Sequence, residues 1–342
     1  MDTPFGNDDI KVAVIGGGTG SFTLLSALKD QTSKIAAIVN MADDGGSTGV
    51  LRDELGVLPP GDVRQCLVAL SDSPSIRDLF NYRFEEGTFE GHSFGNLFLT
   101  ALEKTTGSFR EAIDTASEIL RVNGTVIPVT LDDIRLKMTW ADASLTLKGE
   151  RVIDAEHFKK DPRKAQLSLE PTPGVNPMAI QAIEQADLVV IAPGDLYTSL
   201  GPLLVVDGIG DALRSTDAKV VYVCNLVTKD GQTNDFTVSD HAKEIERFGG
   251  GDFLDAVLYN SQIPSARILE RYKQENAYLV TVDSGKLMSQ SYNAIGGNFL
   301  GQIVAYNPTD QHLPVTRSLI RHNPVAVASA LMDLVQGQVL YL

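Results

Sequence analysis

Cysteine is almost missing from this chain: Cys66 and Cys224 are the two in 342 residues. They fall in stretches that read as a helix and a buried strand, which excludes a disulfide framework as the source of stability. Basic residues are also few, 29 Lys and Arg against 44 Asp and Glu, for a net charge of −15. Nucleic acids are bound chiefly by neutralising their phosphates, so nucleic acid is not expected as a partner. The same deficit means that an anionic ligand must be caught locally, by backbone amides or a few arginines, against a repelling global field. No apolar run is long enough to span a bilayer, and the opening MDTPFGNDDI has neither the basic nor the apolar part of a secretory signal. The expectation is a cytoplasmic protein with no membrane span.

Signatures of common chemistries are missing too. There is no G-x-S-x-G elbow, no Lys placed as in a P-loop, and no metal-ligand spacing among His157, His241, His312 and His322. His92, in a loop, reads as solvated or hydrogen-bonded. No Ser/Pro-rich linker, low-complexity tract or internal repeat divides the chain, so residues 1–342 are read as a single unit.

What is present is an ordinary globular composition, 43% hydrophobic, patterned as α/β. Lys11 to Gly17 is a short apolar run ending in glycine, as in a buried parallel strand. Thr19 to Lys29 then carries Phe22, Leu24, Leu25 and Leu28 at helical spacing, and Lys34 to Asn40 completes a β-α-β unit. Residues 61 to 121 read as successive amphipathic helices. From about 125 to 170 the segments VIPVT, IRLKMTW, SLTLKG and QLSLEP alternate like strands of a half-exposed antiparallel sheet, a small inserted β-rich lobe. Strand and helix patterns then alternate again through ADLVVIAPG, DAKVVYVCNL and DFLDAVLYN. The fold class expected is α/β, a Rossmann-like doubly wound, mostly parallel sheet carrying that lobe.

The candidate site lies in the loops at the carboxyl ends of these strands. Gly16-Gly17-Gly18-Thr19-Gly20 sits between the first strand and its helix, where glycine permits a sharp turn and brings backbone N–H groups close to a phosphate. Gly17, Gly18, Thr19 and Gly20 are therefore candidate ligand residues. The G-x-G-x-x-G fingerprint is only partly met, because Ser21 stands at the third glycine. Beyond the second strand, which closes on Asn40, come Asp43, Asp44, Gly45, Gly46 and Ser47. Paired acids there suit a ribose hydroxyl or a divalent cation, and the plain alternative is an acidic turn that caps the next segment.

Asp62 in PPGDVR reads as a helix cap, with Arg64 one turn inside and able to reach a phosphate. Gly95 and Asn96 precede another helix. Gly194, Asp195, Thr198 and Ser199 repeat the strand-loop-helix arrangement, and Asn225 ends a further strand. If a reaction occurs, phosphoryl-type transfer fits best. Asp43, Asp44 or Asp62 would hold a divalent cation and Arg64 would stabilise charge.

The ordered set GGGTG, MADDGGSTGVLRDELG, LPPGDVRQCLVAL, HSFGNLFLTAL, VIPVT, APGDLYTSLGPLL, CNLVT, LERY and RHNP resembles the CofD/YvcK family over almost the full length. It is closer to the YvcK branch than to CofD proper, which transfers a 2-phospholactate-type group to a deazaflavin acceptor. CofD proper has a Lys soon after its glycine loop and a Ser-Pro-Asp-Leu-Asp-Thr segment where this chain has PPGDVR. The resemblance implies binding of a UDP-sugar such as UDP-N-acetylglucosamine and a regulatory role in gluconeogenic growth, cell shape and cell-wall precursor supply. It leaves room for a regulatory protein partner or a homo-oligomer.

LERY and RHNP add Tyr272 as a stacking face for a base and Arg321 as a positive partner for a diphosphate. The plain alternative makes Tyr272 a helix residue at the core edge and Arg321 a solvated charge. A ligand-sensing regulator is the leading reading. A CofD-like transferase and an NAD-dependent oxidoreductase stand as alternatives.

Overall fold

The structure, a computed structural model, describes residues 9–141, 145–301 and 320–337. His312 and residues 1–8 lie outside the described residues.

Strand β1 (Val12–Gly16) leads into α1 (Gly18–Leu28) and β2 (Ile35–Val39). Then come α2 (Gly46–Leu55), α3 (Pro60–Leu70), α4 (Pro74–Asn81), α5 (Phe94–Thr106) and α6 (Phe109–Leu120), before β3 (Thr125–Pro128). Strands β4 (Arg135–Trp140), β5 (Thr146–Lys148) and β6 (Ala165–Glu170) follow, with α7 (Glu150–Ala155) between the last two. Helix α8 (Pro177–Glu184) returns the chain to β7 (Leu188–Ile191), after which a π-helical turn, Leu196–Leu200, runs into α9 (Gly201–Leu204). The remainder is α10 (Ile209–Ser215), β8 (Lys219–Val223), α11 (Val238–Phe248), β9 (Ala256–Asn260), α12 (Ala266–Gln274), α13 (Ser284–Leu287), β10 (Asn293–Gly297) and α14 (Pro324–Val335).

Seven strands form one sheet in the order β10-β9-β8-β7-β1-β2-β3, and all of its pairings are parallel. Strands β1 and β7 are buried along their whole length, as continuous apolar runs covered on both faces must be. Leu24, Leu25 and Leu28 of α1 pack into the core, and α1 itself lies against α3 and α14. Helix α3 is buried on nearly every side, Asp62 and Arg64 included. The expected α/β Rossmann-like architecture is thus the observed one.

The small lobe is a three-stranded antiparallel sheet, β5-β4-β6. Strand β4 alternates buried and half-buried residues, as one face against a core requires. The segment VIPVT, expected in this lobe, pairs with β2 as an edge of the main sheet instead. Its run Val126, Ile127, Pro128 is buried without alternation, the mark of an α/β strand rather than of a half-exposed one. Elements not read from the pattern include α2, which absorbs the glycine-rich loop from Gly46 onward, the short helices α7 and α13, and β10, whose NAIGG sequence is too poor in β-formers. No helix among the described residues is long and apolar enough to cross a membrane.

Candidate functional site

The strand order reverses between β1 and β7, so connections leave these neighbours to opposite sides and a crevice opens at their carboxyl ends. Gly17 enters α1 in extended conformation, and Gly18 follows at φ +65°, a region that an L side chain resists. A Cβ on Gly18 would meet open space, with only Asp62 Oδ1 3.9 Å away. Gly20 is different: a Cβ there would overlap the carbonyl oxygen of Pro193 in the loop after β7. The absence of a side chain there lets the two loops touch. Thr19 between them is exposed.

Asp62 dominates the floor of the turn. Its Oδ1 accepts the Gly18 N–H at 2.9 Å, and its Oδ2 fills the space a Cβ on Gly17 would take. It therefore caps α1 across the crevice, not the helix it begins. Burial, and next the charge of Asp43, push its carboxyl up to about 7. Asn40 at the end of β2 is buried, accepting from the Ala42 N–H at 3.0 Å and donating to the Thr198 carbonyl at 3.4 Å.

The acidic loop splits its two carboxylates. Asp43 Oδ1 accepts the Gly45 N–H at 2.9 Å, and burial holds its carboxyl above the usual range. Asp44 turns the other way, accepting the N–H groups of Glu150 (3.2 Å) and Arg151 (2.7 Å) at the start of α7. The carboxylate that was a cation candidate is thus a cap tying the inserted lobe to the crevice. Gly45 is the N-cap of α2, and an added Cβ would stand 3.4 Å from Asp43 Oδ1 and 3.6 Å from Glu150 Oε2. The Glu150 carboxyl is raised to about 9 by burial and then by Asp43, Asp154, Asp44 and Asp62. Gly46 is exposed at φ +44°.

Arg64 does not reach the glycine turn by any hydrogen bond. Its Nε donates to Asn96 Oδ1 (3.0 Å) and its Nη1 to Asn81 Oδ1 (2.6 Å). The expected phosphate contact is replaced by a helix-to-helix tie, because α3 presents this side chain to α4 and α5. Gly95 makes room for it, since a Cβ there would come within 2.7 Å of Arg64 Cδ and of the Phe80 carbonyl. The chain of polar contacts continues from Asn96 Nδ2 to Ser47 Oγ (3.2 Å) and from Ser47 to His92 Nδ1 (2.9 Å).

Across the switch point, Gly194 is held by the Asn225 side chain, which accepts its N–H at 3.1 Å and donates to its carbonyl at 2.8 Å. Asn225 thus positions a loop with both ends of its amide. Asp195 pairs with Lys229 Nζ at 3.1 Å, and Lys229 also binds Asp154 of α7. Thr198 is buried and donates from Oγ1 to Asp154 at 3.4 Å, while the Ser199 N–H closes on the Asp195 carbonyl at 3.0 Å.

Tyr272 and Arg321 do come to one end of the molecule, but not as expected. Tyr272 is buried with Leu226, Ile268 and Ile320, and its hydroxyl accepts the Ile320 N–H at 2.8 Å. Its ring is a core surface, so the plain alternative describes it. Arg321 is exposed, and its carbonyl accepts the Gly301 N–H at 2.8 Å.

Among the described residues no three His, Cys, Asp or Glu side chains are grouped to hold a metal ion. The cation set of Asp43, Asp44 and Asp62 is broken by the diversion of Asp44. Three residues of the crevice escaped sequence reasoning: Glu150, Asp154 and Lys229. Lys229 directly follows the CNLVT motif and was within reach. Glu150 and Asp154 share one face of α7 at i, i+4, but nothing local says that this face turns towards the glycine turn.

Residues 12–300 match the family described as 2-phospho-L-lactate transferase CofD. The gluconeogenesis factor of Bacillus subtilis strain 168 is 38% identical over 328 residues, 95% of this chain and 98% of that protein. The gluconeogenesis factor of Halalkalibacterium halodurans is 38% identical over 326 residues, 94% of this chain and 95% of its own length. A crystal structure of a UPF0052 family member from Bacillus halodurans superposes with a TM-score of 0.84 at 36% identity, covering 94% of this chain and 99% of that one. With a glycine turn facing a second strand-loop-helix turn across the switch point, and a family match over residues 12–300, this chain belongs to the CofD family.

Proposed function

We propose that the β1/β7 crevice binds a nucleotide sugar, UDP-N-acetylglucosamine or a close relative, and that the protein is a ligand-sensing regulator rather than an enzyme. The observation that carries this reading is the contact of Gly20 with the Pro193 carbonyl, which sets two strand-loop-helix turns side by side at a switch point. The name of the relatives, gluconeogenesis factor, supports a role in gluconeogenic growth. The resemblance adds control of cell shape and cell-wall precursors, in the cytoplasm and through a protein partner or self-association.

The crevice is acidic, so a diphosphate needs help to enter. Asp62 with a proton on it removes one charge. A divalent cation carried in by the ligand would find hard oxygen donors in Asp43 and Asp62, the phosphates completing its shell. Thermal shift with UDP-N-acetylglucosamine, UDP-glucose, GDP and NAD tests the reading. A ligand that binds only the folded state at a hundredfold excess over Kd adds about 2.7 kcal/mol. A shift with NAD and none with either UDP-sugar at millimolar concentration overturns it in favour of an oxidoreductase.

The family match favours one second reading, a CofD-like phosphotransferase. Its support is a pair of carboxylates, Asp43 and Asp62, close enough for the charge of Asp43 to raise the Asp62 carboxyl. Release of a nucleoside monophosphate from an activated 2-phospholactate-type donor in the presence of Mg²⁺ would favour that reading over the regulator.

A further inference from the structure

Further along the same edge of the sheet lies a second hollow, of about 210 Å³, at the carboxyl ends of β8 and β9. It shares a wall with the crevice, because Asn225 lines it while holding Gly194. Three of its polar side chains, Asn225, Asn260 and Ser261, are already spent, while Gln262 and Tyr259 also line it. Asn260 accepts the N–H groups of Gln262 and Phe299 and donates to the Gln262 carbonyl, and Ser261 donates to the Gly297 carbonyl. What faces the space is aliphatic, with one aromatic ring: Leu226, Ile263, Val280, Val282 and Tyr259. The Tyr259 ring rests against Gly296, where a Cβ would come within 2.8 Å of it.

These properties select a class of occupant. A hexose needs hydrogen-bond partners all round its ring, and this lining offers few, the Gln262 amide and the Tyr259 hydroxyl. A flat heterocycle needs apolar walls and a ring to lie against. The volume holds one such ring and is below the roughly 300 Å³ at which pockets for larger ligands begin. With strands about 4.8 Å apart, β8 and β9 stand two and three places from β1, roughly 10 to 15 Å from the glycine turn. That is the reach of an extended nucleoside diphosphate.

We infer that the slot walled by Leu226, Val280, Val282 and Tyr259 takes the planar base of a nucleotide whose phosphates lie at the β1/β7 switch point. The inference rests on the nucleotide-sugar reading and adds to it where the base sits. It also gives Tyr272 a place: it shares a buried apolar cluster with Leu226, a wall residue of the slot, and Tyr259 supplies the stacking face.

The test uses Ile263→Glu, which puts a carboxylate at a rim position that is 77% exposed and so spares the fold, and Tyr259→Leu as a second variant. Calorimetry is run with UDP-N-acetylglucosamine and with inorganic pyrophosphate, and saturation transfer from the protein is recorded for uridine, cytidine, adenosine and guanosine. Ile263→Glu is expected to weaken the UDP-sugar by about tenfold or more, to leave pyrophosphate within about twofold, and to remove the nucleoside signal. UDP-sugar affinities within about twofold of the unmutated protein in both variants overturn the inference while the nucleotide-sugar reading stands. If the unmutated protein binds no UDP-sugar, yet shows a nucleoside signal that Ile263→Glu removes, the slot stands and the earlier reading falls. No nucleoside signal in the unmutated protein overturns the inference outright.

Discussion

Asp62 Oδ1 accepts the Gly18 N–H at 2.9 Å, so a carboxyl group occupies the amide that a phosphate would be expected to claim at the start of α1. Any anion entering the crevice has to compete with Asp62, share its proton or bring a cation.

This makes the site sensitive to pH through Asp62, beside the raised carboxyls of Asp43 and Glu150. With its carboxyl raised from 3.8 to about 7, the folded chain keeps a proton that the unfolded chain has lost. The stability that Asp62 contributes is therefore complete below about pH 4 and is lost as the pH rises to about 7. Asp62→Asn keeps an oxygen for Gly18 and carries no charge. It is expected to be more stable than the unmutated protein at pH 8, by up to about 4 kcal/mol, with a flatter profile between pH 4 and 7. Urea unfolding across that range checks it, and parallel profiles would mean that Asp62 is ionised in the fold.

Two glycines of one turn should fail differently. Gly18→Ala puts a Cβ into open space on a left-handed backbone, at about 1–2 kcal/mol, and should leave circular dichroism unchanged while weakening the ligand. Gly20→Ala drives a Cβ into the Pro193 carbonyl, a backbone atom that cannot step aside. The expected loss is about 1–3 kcal/mol or more in thermal unfolding, greater than for Gly18→Ala. The reverse order would mean that the loops are not in contact.

Asp44→Ala should loosen α7 and little else. It removes the acceptor for the Glu150 and Arg151 amides, and a lost cap costs about 0.5–2 kcal/mol. Hydrogen exchange of amides 150–155 should speed up while the β1 and β7 amides stay protected. Unchanged exchange in α7 would show that Lys229 and Gln232, which bind its other end, hold it alone.

His241 and His322 should set the acid limit. Burial lowers both from 6.5 to about 4, His241 with Nδ1 on the Thr237 carbonyl and His322 with Nε2 on the Cys224 carbonyl. The unfolded chain takes up protons that the folded chain refuses. Stability present above pH 6.5 is accordingly lost as the pH falls towards 4, by up to about 3 kcal/mol for each group. His241→Asn and His322→Gln keep the donor without the titration and should shift the acid unfolding midpoint to lower pH. A midpoint that does not move places the acid sensitivity elsewhere.

The parallel sheet was legible because β1 and β7 are apolar throughout, and β8 is apolar after Lys219, while β1 and β7 each run into a glycine-bearing loop. The loops of the crevice were legible for the same reason. Direction was not: Asp44, Arg64 and Asn225 have the right chemistry for a ligand, but each is committed to another segment of the chain. Asp44 reaches across to Arg151 and Arg64 to Asn96, and spacing along the sequence holds no information about such pairs. Thr125–Pro128 was misplaced because four residues are too few to separate a buried edge from a half-exposed one.

Val12 of β1 has Ile35 on one side and Leu188 on the other. The first neighbour emerges from the ribosome almost at once, the second only after the helical stretch and the whole lobe have been made. The floor of the crevice is therefore assembled only when a segment far along the chain returns to pair with β1. On the proposed reading, a nascent chain would have no place for a nucleotide sugar until β7 had docked, so the ligand would reward the finished sheet and give no shelter to an unfinished one.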